Sequence, residues 1–319
     1  MLNNRVKATP AARRIAQERR INLSAVLPAA GRDYIRQEDV LAFRGSKATP
    51  LAQAIAEYHG LDLNRISANG NIIRKIDVLH YLERGDAQKS VPVQGMRKVI
   101  AQRMMESISG SPQYSMFMDF DMFELLPAFR RHQEQEVSNG APKPTLSDLF
   151  IKLFAEALQK YPIVNSTFTQ EEILLHRDIN IGLAVAVEEG LTVPNIKNAD
   201  QKSLRKITRE RIALVEKARA GRLSPNEYSG GTFTISNLGG FPVEYATPVI
   251  NQPESAIVVV GTTVDKIIPH NGQAAIHPVM GMSFTFDHRH LDGAVGGAFM
   301  KVVKDIFVNA PEILANEKN

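Results

Sequence analysis

The chain has 319 residues, of which 44% are apolar, so it can bury at least one sizeable core and its length suggests about two domains. It contains no cysteine, which excludes disulfides, thiolate metal sites and a cysteine nucleophile. No apolar run reaches the roughly 18 residues of a membrane span, and the first residues lack an apolar signal core, so we expect a cytoplasmic protein with no membrane partner.

The positive charge is concentrated at the N-terminus. Residues 1–45 contain nine basic and four acidic residues, a net charge of +5, whereas residues 46–86 are neutral and residues 87–319 carry −1. The basic segment is short, has few aromatic residues and contains no nucleic-acid motif. We therefore expect an acidic protein surface as its partner and not a nucleic acid.

The N-terminal part of the chain contains an internal repeat. Its clearest sign is that Lys-Ala-Thr-Pro at residues 7–10 recurs 40 residues later. Each copy predicts a helix opened by Thr-Pro, then a loop and a second helix. The predicted caps of the first helices, Thr9 and Thr49, fall at equivalent positions, and Asp39 and Asp77 both lie near the entry of the second helix. At about 37 residues each copy is below the usual size for independent folding, so the modules should be small and modestly stable.

The rest of the chain predicts one larger domain. Residues 85–91 form a linker that is too short and too poor in proline and alanine for a long swinging arm. We divide the chain into residues 1–45, residues 46–84, this linker and residues 92–319. Within the last segment, periodicity predicts helices at 95–104, 145–160, 203–219 and 294–308, and strands at 114–121, 178–187, 231–236, 255–262 and 280–288. This order indicates an α/β (α+β) domain with a mostly antiparallel or mixed sheet.

The predicted strand at 231–236 has one face of hydroxyl groups. Phe233 and Ile235 alternate against Thr232, Thr234 and Ser236, and a Ser-Asn turn follows. Such a row is typical of the solvated face of an ordinary strand. It also suits a site that donates hydrogen bonds to a substrate oxygen.

The strand at 280–288 ends in Asp-His-Arg-His-Leu-Asp-Gly. Period-two alternation places His288 on the same face as Phe286, so we expect a buried imidazole, and helical spacing resumes after Asp292. His288 then suits a general base oriented by Asp292. Asp292 equally suits a helix N-cap, and His288 an ordinary core histidine. A metal site built from Asp287, His288, His290 and Asp292 is the weaker interpretation, because the sequence shows no HExxH pattern and no second histidine cluster.

Two family resemblances connect these motifs. The repeats resemble the peripheral subunit-binding domain of the dihydrolipoamide acyltransferases of 2-oxo acid dehydrogenase complexes, of the pyruvate or acetoin type. Gly-Met-Arg-Lys-Val-Ile-Ala-Gln-Arg-Met from residue 95, Gly-Gly-Thr-Phe-Thr-Ile-Ser-Asn-Leu-Gly from residue 230 and the His288 motif resemble their catalytic domain, which has a chloramphenicol-acetyltransferase-like fold.

The resemblance implies an acyltransferase of the EC 2.3.1 class that moves an acyl group, expected to be acetyl, between dihydrolipoamide and CoA. His288 stands at the position of the general base and Ser236 at that of the oxyanion donor. Asp292 stands where the family's carboxylate orders the site through an arginine, for which Arg97 and Arg103 are candidates. His290 stands where the family usually has an aliphatic residue.

The family also implies partners and cofactors. Arg13 occupies the position of an arginine that docks the decarboxylating or the lipoamide dehydrogenase component, whereas copy two has Gln53 there and Gln17 replaces a second docking arginine. The family's catalytic domain is a homotrimer, often within a larger cage. No lipoyl domain precedes the repeat, and Lys266 lies in what we interpret as an ordinary connection between strands. We therefore expect lipoate to be supplied in trans by a lipoylated protein, CoA as a substrate and no metal.

Two other functions remain open. The protein could be chiefly a scaffold that recruits partner enzymes with weak catalysis of its own. It could also be a free-standing acetyltransferase for a small molecule, although the subunit-binding repeats argue against this.

Overall fold

The computed structural model describes residues 7–19, 21, 23, 26, 28–29, 32–43, 48–68, 72–84, 92–188 and 190–317. The chain divides into two compact units, Met1–Pro92 and Val93–Asn319. The predicted linker at 85–91 lies outside the described residues. None of the helices in the described part of the chain has the length and apolarity to span a membrane.

The N-terminal unit contains the repeated pattern twice. Copy one has helices α1 (Pro10–Glu18) and α2 (Gln37–Ala42), and copy two has α3 (Pro50–Tyr58) and α4 (Lys75–Arg84). Each copy has its own small core, built from two alanines of its first helix and three β-branched residues: Ala12, Ala16, Val26, Ile35 and Val40 in copy one, and Ala52, Ala56, Ile66, Ile73 and Val78 in copy two.

The caps predicted for the first helices, Thr9 and Thr49, are confirmed in both copies. The Thr9 hydroxyl accepts a hydrogen bond from the Ala12 N–H at 3.2 Å, and the Thr49 hydroxyl accepts the equivalent bond at 3.4 Å. The Asp39 and Asp77 carboxylates accept bonds from the backbone N–H groups three residues before them, at 2.8 and 2.7 Å. The same sequence signals therefore produce the same frame twice.

Over its described residues, the C-terminal unit has the strands β1 (Gln113–Asp121), β2 (Ser166–Phe168), β3 (Ile173–Leu175), β4 (Ile181–Leu183), β5 (Val185–Val187), β6 (Gly190–Thr192), β7 (Asn195–Ile196), β8 (Phe233–Asn237), β9 (Ala256–His270) and β10 (Gln273–Asp287). Six of them form a mixed sheet, as predicted, in the order β1-β10-β9-β8-β4-β7, and β2–β3 and β5–β6 form two-stranded sheets. In the six-stranded sheet the pairs β8–β9 and β4–β8 are parallel, and the other pairs are antiparallel. The helices are α5 (Gly95–Gly110), α6 (Leu125–Ser138), α7 (Leu146–Lys160), α8 (Leu204–Arg219), α9 (Pro225–Tyr228) and α10 (Gly293–Asn316).

Helices α6, α7, α8 and α10 share one apolar core with the sheet. Phenylalanines from strands and helices meet there, and Phe154, Phe284 and Phe299 are fully buried. Helix α7 has the predicted apolar face, but it is buried on its remaining sides as well, including Ile151 and Ala155. This burial anchors the strands whose ends carry the candidate site residues.

Strands β9 and β10 are longer than predicted. They form one hairpin that turns at Asn271 and Gly272, both with positive φ, which is the two-residue Asn-Gly turn favoured between antiparallel strands. Lys266 lies inside β9, so its interpretation as part of a connection between strands is wrong. The Asn-Gly signal in the sequence could have located the true turn.

The structure differs from the sequence predictions in two other places. The predicted strand at 178–187 is two short strands, because β4 pairs in the main sheet whereas β5 pairs with β6 in a separate hairpin. Helix α6 was not predicted at all.

The backbone around Glu244 packs directly on β9 and β10. It approaches so closely that a Cβ on Gly261 would lie 2.0 Å from the Glu244 carbonyl oxygen, and one on Gly281 2.6 Å from it. Only glycine permits this approach. The two long strands are therefore covered by this segment at these positions.

Candidate active site

His288 lies in the turn that follows β10. The strand ends at Asp287, and the His288 N–H donates to the Pro112 carbonyl at 2.8 Å. The imidazole is exposed in the single chain, so the predicted burial of His288 is wrong. Period-two alternation fails because the backbone has left extended geometry at this residue.

The turn around His288 is held by its neighbours. The Asp287 carboxylate is 1% exposed and accepts hydrogen bonds from both Arg289 Nε, at 2.9 Å, and Arg289 Nη2, at 2.5 Å. The Leu291 N–H donates to the Asp287 carbonyl at 3.0 Å. Sequence reasoning missed this ion pair between a buried carboxylate and the exposed Arg289, which fixes the backbone on both sides of an exposed imidazole.

Tyr114 supports the imidazole from β1. Its ring meets the His288 ring edge-on, with 4.7 Å between centroids, and its hydroxyl donates to the Asp292 carbonyl at 2.7 Å. Burial, and to a lesser extent the nearby Asp292 carboxylate, raises the pKa of Tyr114 to about 12. The phenol therefore keeps its proton, and with it the hydrogen bond, at neutral pH.

Asp292 is the N-cap of α10. Its Oδ1 accepts hydrogen bonds from the N–H groups of Ala294 and Val295, both at 2.9 Å. Within the described part of one chain, the carboxylate forms no ion pair with Arg97, Arg103 or any other cation. The geometry thus supports the cap, one of the two roles that the sequence left open.

Ser236 lies near the end of β8, on the face that it shares with Thr232 and Thr234. The two threonines are 4% and 1% exposed, so this face is not solvated. Among the described residues, no hydrogen-bond partner is found for the half-buried Ser236 hydroxyl. Its proton is available to an incoming group.

The sheet does not bring Ser236 and His288 together within one chain. Ser236 is level with Val259 of β9, which is level with Ser283 of β10. His288 lies five positions further along and two strands across, so the two residues are on the order of 20 Å apart by ordinary strand spacings.

A buried carboxyl group near the His288 end of the sheet was not predicted. Glu254 accepts hydrogen bonds from the Thr234 hydroxyl at 2.6 Å and from the Asn251 amide at 2.9 Å. Burial raises its pKa to about 7. Two oxygens approach Gly231, since a Cβ there would lie 2.4 Å from Asn195 Oδ1 and 2.9 Å from Glu254 Oε1. The Asn195 oxygen is buried without a hydrogen-bond partner among the described residues.

The structure brings two further histidines together, although the sequence shows no second histidine cluster. His270 and His277 meet at the β9–β10 hairpin, with 4.8 Å between ring centroids, and His277 Nδ1 lies 2.7 Å from an Asp121 oxygen. Over the described residues, no group of three or more histidine, aspartate or glutamate side chains is arranged to hold a metal ion.

Arg13 lies exposed on α1, and its Nε donates to the Ala8 carbonyl at 3.3 Å. Gln53 of copy two makes the equivalent bond, from Nε2 to the Ala48 carbonyl at 3.4 Å. The glutamine therefore reproduces this local contact without the positive charge.

Comparisons with known proteins agree with this architecture. A model of the 2-oxoacid dehydrogenases acyltransferase catalytic domain matches residues 85–315, and a model of the E3 binding domain matches residues 6–41. The acetyltransferase component of the acetoin cleaving system of Bacillus subtilis is 36% identical over 81% of this chain and 68% of its own length. The corresponding component of the pyruvate dehydrogenase complex of Staphylococcus epidermidis is 34% identical over 98% of this chain and 71% of its own length.

Solved structures extend the similarity to the fold. A probable dihydrolipoamide acetyltransferase from Listeria monocytogenes is 33% identical, with a TM-score of 0.67 over 74% of this chain and 99% of its own. The dihydrolipoamide acetyltransferase of Azotobacter vinelandii is 28% identical, with a TM-score of 0.68 over 73% of this chain and 96% of its own.

The fold and these matches define an acyltransferase. The chain belongs to the 2-oxoacid dehydrogenase acyltransferase family. The predicted α+β acyltransferase catalytic domain preceded by a helical subunit-binding module is confirmed, with the module matched at residues 6–41, and so is the predicted enzyme class.

Proposed function

We propose that the protein transfers an acyl group, acetyl in the expected reaction, directly between dihydrolipoamide and CoA. The observation that carries this proposal is the spacing of three residues. The Azotobacter structure was determined to study a serine, a histidine and an asparagine in the catalytic mechanism of that enzyme, and its numbering separates them by 52 and four positions. Ser236, His288 and Asp292 have the same two separations.

His288 is the proposed general base. A thiol of pKa near 8.5 is mostly protonated at neutral pH, so a neutral imidazole that accepts its proton gains about 10²–10⁴-fold in rate. The thiolate sulfur then attacks the thioester carbonyl and forms a C–S bond. The tetrahedral intermediate collapses by breaking the other C–S bond, and the leaving sulfur recovers the proton from the imidazolium.

Ser236 is the proposed oxyanion donor. Negative charge develops on the carbonyl oxygen in the tetrahedral intermediate, and a fixed hydroxyl donor typically contributes about 10²–10³-fold. The free proton of Ser236 and the buried neighbours on its strand suit this role. Asp292, where the Azotobacter enzyme has asparagine, positions the turn by capping α10.

We infer that His288 of one subunit works with Ser236 of another, within a homotrimer or a larger assembly of trimers. The estimated separation of about 20 Å in a single chain is too large for both groups to touch one thioester. Helix α5 supports this inference, since Met96, Val99, Met105 and Ile108 are all at least 40% exposed. One related structure is described as the cubic core of a pyruvate dehydrogenase complex.

The helical modules are proposed as docking sites for partner enzymes. We assign residues 1–45 and 46–84 to the two modules, residues 85–91 to a linker and residues 92–319 to the acyltransferase. Copy one, with Arg13 and the excess positive charge, would bind an acidic patch on the lipoamide dehydrogenase or the decarboxylating component. A lipoylated protein acting in trans would bring the acyl group, and the cytoplasm is the proposed location.

The test is an acyl-transfer assay from acetyl-CoA to free dihydrolipoamide. His288→Ala should lower turnover by several orders of magnitude while the fold and the assembly stay intact, because the base and oxyanion contributions multiply at one transition state. His277→Ala is the matched control, since His277 lies at the far end of β10, and it should keep the normal rate. A normal rate for His288→Ala would refute the role of His288, whereas a parent protein with little acyl-transfer activity would favour the scaffold function.

A further inference from the structure

His290 lies beside the proposed base and is anchored to a different element. Its Nε2 is 3.0 Å from the Ser166 hydroxyl at the start of β2. Its ring stacks on Phe168 of the same strand, with 5.5 Å between centroids and 25° between planes. The Arg289 guanidinium lies 4.4 Å from the centre of the same phenylalanine ring. The two residues that follow His288 thus both rest on β2.

The hydrogen bonds around Ser166 define which atom donates. The Ser166 hydroxyl has one proton, which it gives to the Ile163 carbonyl at 2.7 Å. The Ser255 hydroxyl gives its own proton to the Ser166 carbonyl, also at 2.7 Å. Ser166 Oγ is therefore an acceptor toward His290, and the imidazole donates from Nε2.

Other contacts favour the same neutral form of His290. Burial lowers its pKa, and the Arg289 charge lowers it further, against the opposing effect of Asp287. Nδ1 is buried with no hydrogen-bond partner among the described residues, so a second proton there would have no acceptor. The Nε2–H tautomer thus makes the available bond.

These hydrogen bonds link the residues before and after His288 into a closed ring, which we call the circuit. The Asp287 N–H donates to the Ser255 carbonyl at 2.9 Å, Ser255 donates to Ser166, and Ser166 accepts from His290. The His290 N–H returns to the Asp287 carbonyl at 3.4 Å. His288 and Arg289 are the two exposed residues between the ends of this circuit.

We propose that His290 is a positioning residue for His288, acting through its Nε2–H bond to Ser166. This inference rests on the proposed function, because it assigns to the circuit the task of holding the base. Within one chain the described ring contact to the exposed His288 imidazole comes from Tyr114, so the direction of the His288 Cα–Cβ bond depends on the turn. A base displaced by about 1 Å loses much of its advantage, on the order of 10²-fold at worst.

The experiment uses three full-length variants in the acetyl-transfer assay. His290→Phe keeps the aromatic stack on Phe168 and removes the donor, Ser166→Ala removes the acceptor, and His290→Gln supplies an amide donor. We expect kcat to fall about 10-fold for His290→Phe, with KM for CoA and for dihydrolipoamide within twofold of the parent and an unchanged melting temperature. His290→Gln should recover part of kcat.

The double variant His290→Phe with Ser166→Ala should lose no more kcat than the worse single variant, because both changes break the same hydrogen bond between His290 and Ser166. A kcat for His290→Phe within twofold of the parent would overturn the proposal. So would independent, multiplicative losses, or a lower melting temperature with normal kcat. His288→Ala in the same assay tests the proposed function by itself, so failure of one idea is distinguishable from failure of the other.

Discussion

The helical modules and the acyltransferase unit place their candidate functional residues in different ways. Arg13 is exposed on α1, and Gln53 occupies the equivalent position on α3. The two side chains make the same contact to a backbone carbonyl, so the two positions differ only in the side chain. His288 stands on a turn held by an ion pair with a buried carboxylate, a tyrosine ring and a circuit of hydrogen bonds. On the proposed roles, docking by a module can change through one surface substitution, whereas catalysis depends on the framework beneath His288.

The largest expected effect tests the assembly of the site from two subunits. Ser236→Ala should lower turnover by about 10²–10³-fold, less than His288→Ala, since one oxyanion donor is lost. Trimers reassembled from equal amounts of the two variants should recover about a quarter of the parent activity, because one interface in four would pair an intact histidine with an intact serine. Activity measured after co-refolding checks this. Recovery of no activity would mean that each site lies within one subunit.

The next effect concerns the buried Glu254. Its folded-state pKa is about 7 and lies above the usual value for a free glutamate. The carboxyl group is neutral in both states at low pH, so below the unfolded pKa its burial places no charge in the interior. The hydrogen bonds from Thr234 and Asn251 favour the charged form and oppose the shift, so the loss of stability at higher pH comes from desolvation of the carboxylate. As pH rises through the folded pKa, the buried charge reduces the free energy of unfolding by up to about 3 kcal/mol.

Glu254→Gln should therefore remove this pH dependence. At pH 8 the variant should be more stable than the parent, and near pH 4.5 the two should be similar. Urea unfolding of both proteins between these pH values is the measurement. A parent protein that gains stability across this range relative to the variant would contradict the assignment of a neutral carboxyl group.

A smaller effect separates the two modules. Arg13→Gln makes copy one resemble copy two and should weaken docking of the partner component about 10-fold, because the amide lacks the guanidinium charge and its forked donors. Gln53→Arg is the matched gain-of-charge variant and should strengthen binding through copy two, which we expect to be weak. Calorimetric titration of the full chain at about 0.1 M and 1 M salt should show screening of the copy-one interaction. Affinity that ignores both Arg13 and salt would refute the charge model.

The smallest expected effect concerns the N-caps that the two modules share. Thr9→Ala and Thr49→Ala each remove one N-cap acceptor and should each lower module stability by about 1 kcal/mol. Helical circular dichroism during thermal unfolding gives the comparison. Unequal losses would show that the two copies do not share one frame despite their equivalent contacts.

The sequence alone determined the parts that depend on local signals. Thr-Pro pairs located both module helices, apolar periodicity located α7, α8 and α10, and Asp292 had the features of the cap that it forms. The motifs around Ser236 and His288 indicated the correct family before any contact was known. These signals suffice because capping and periodicity involve residues only a few positions apart.

Only the tertiary structure decided what surrounds those residues. The exposure of His288 follows from where β10 ends, and the Glu254 and His290 contacts join segments that are far apart in the chain. The separation of Ser236 from His288 depends on the order of strands in the sheet. Such features come from long-range packing and strand register, which no local pattern specifies because each depends on which distant segments share a face.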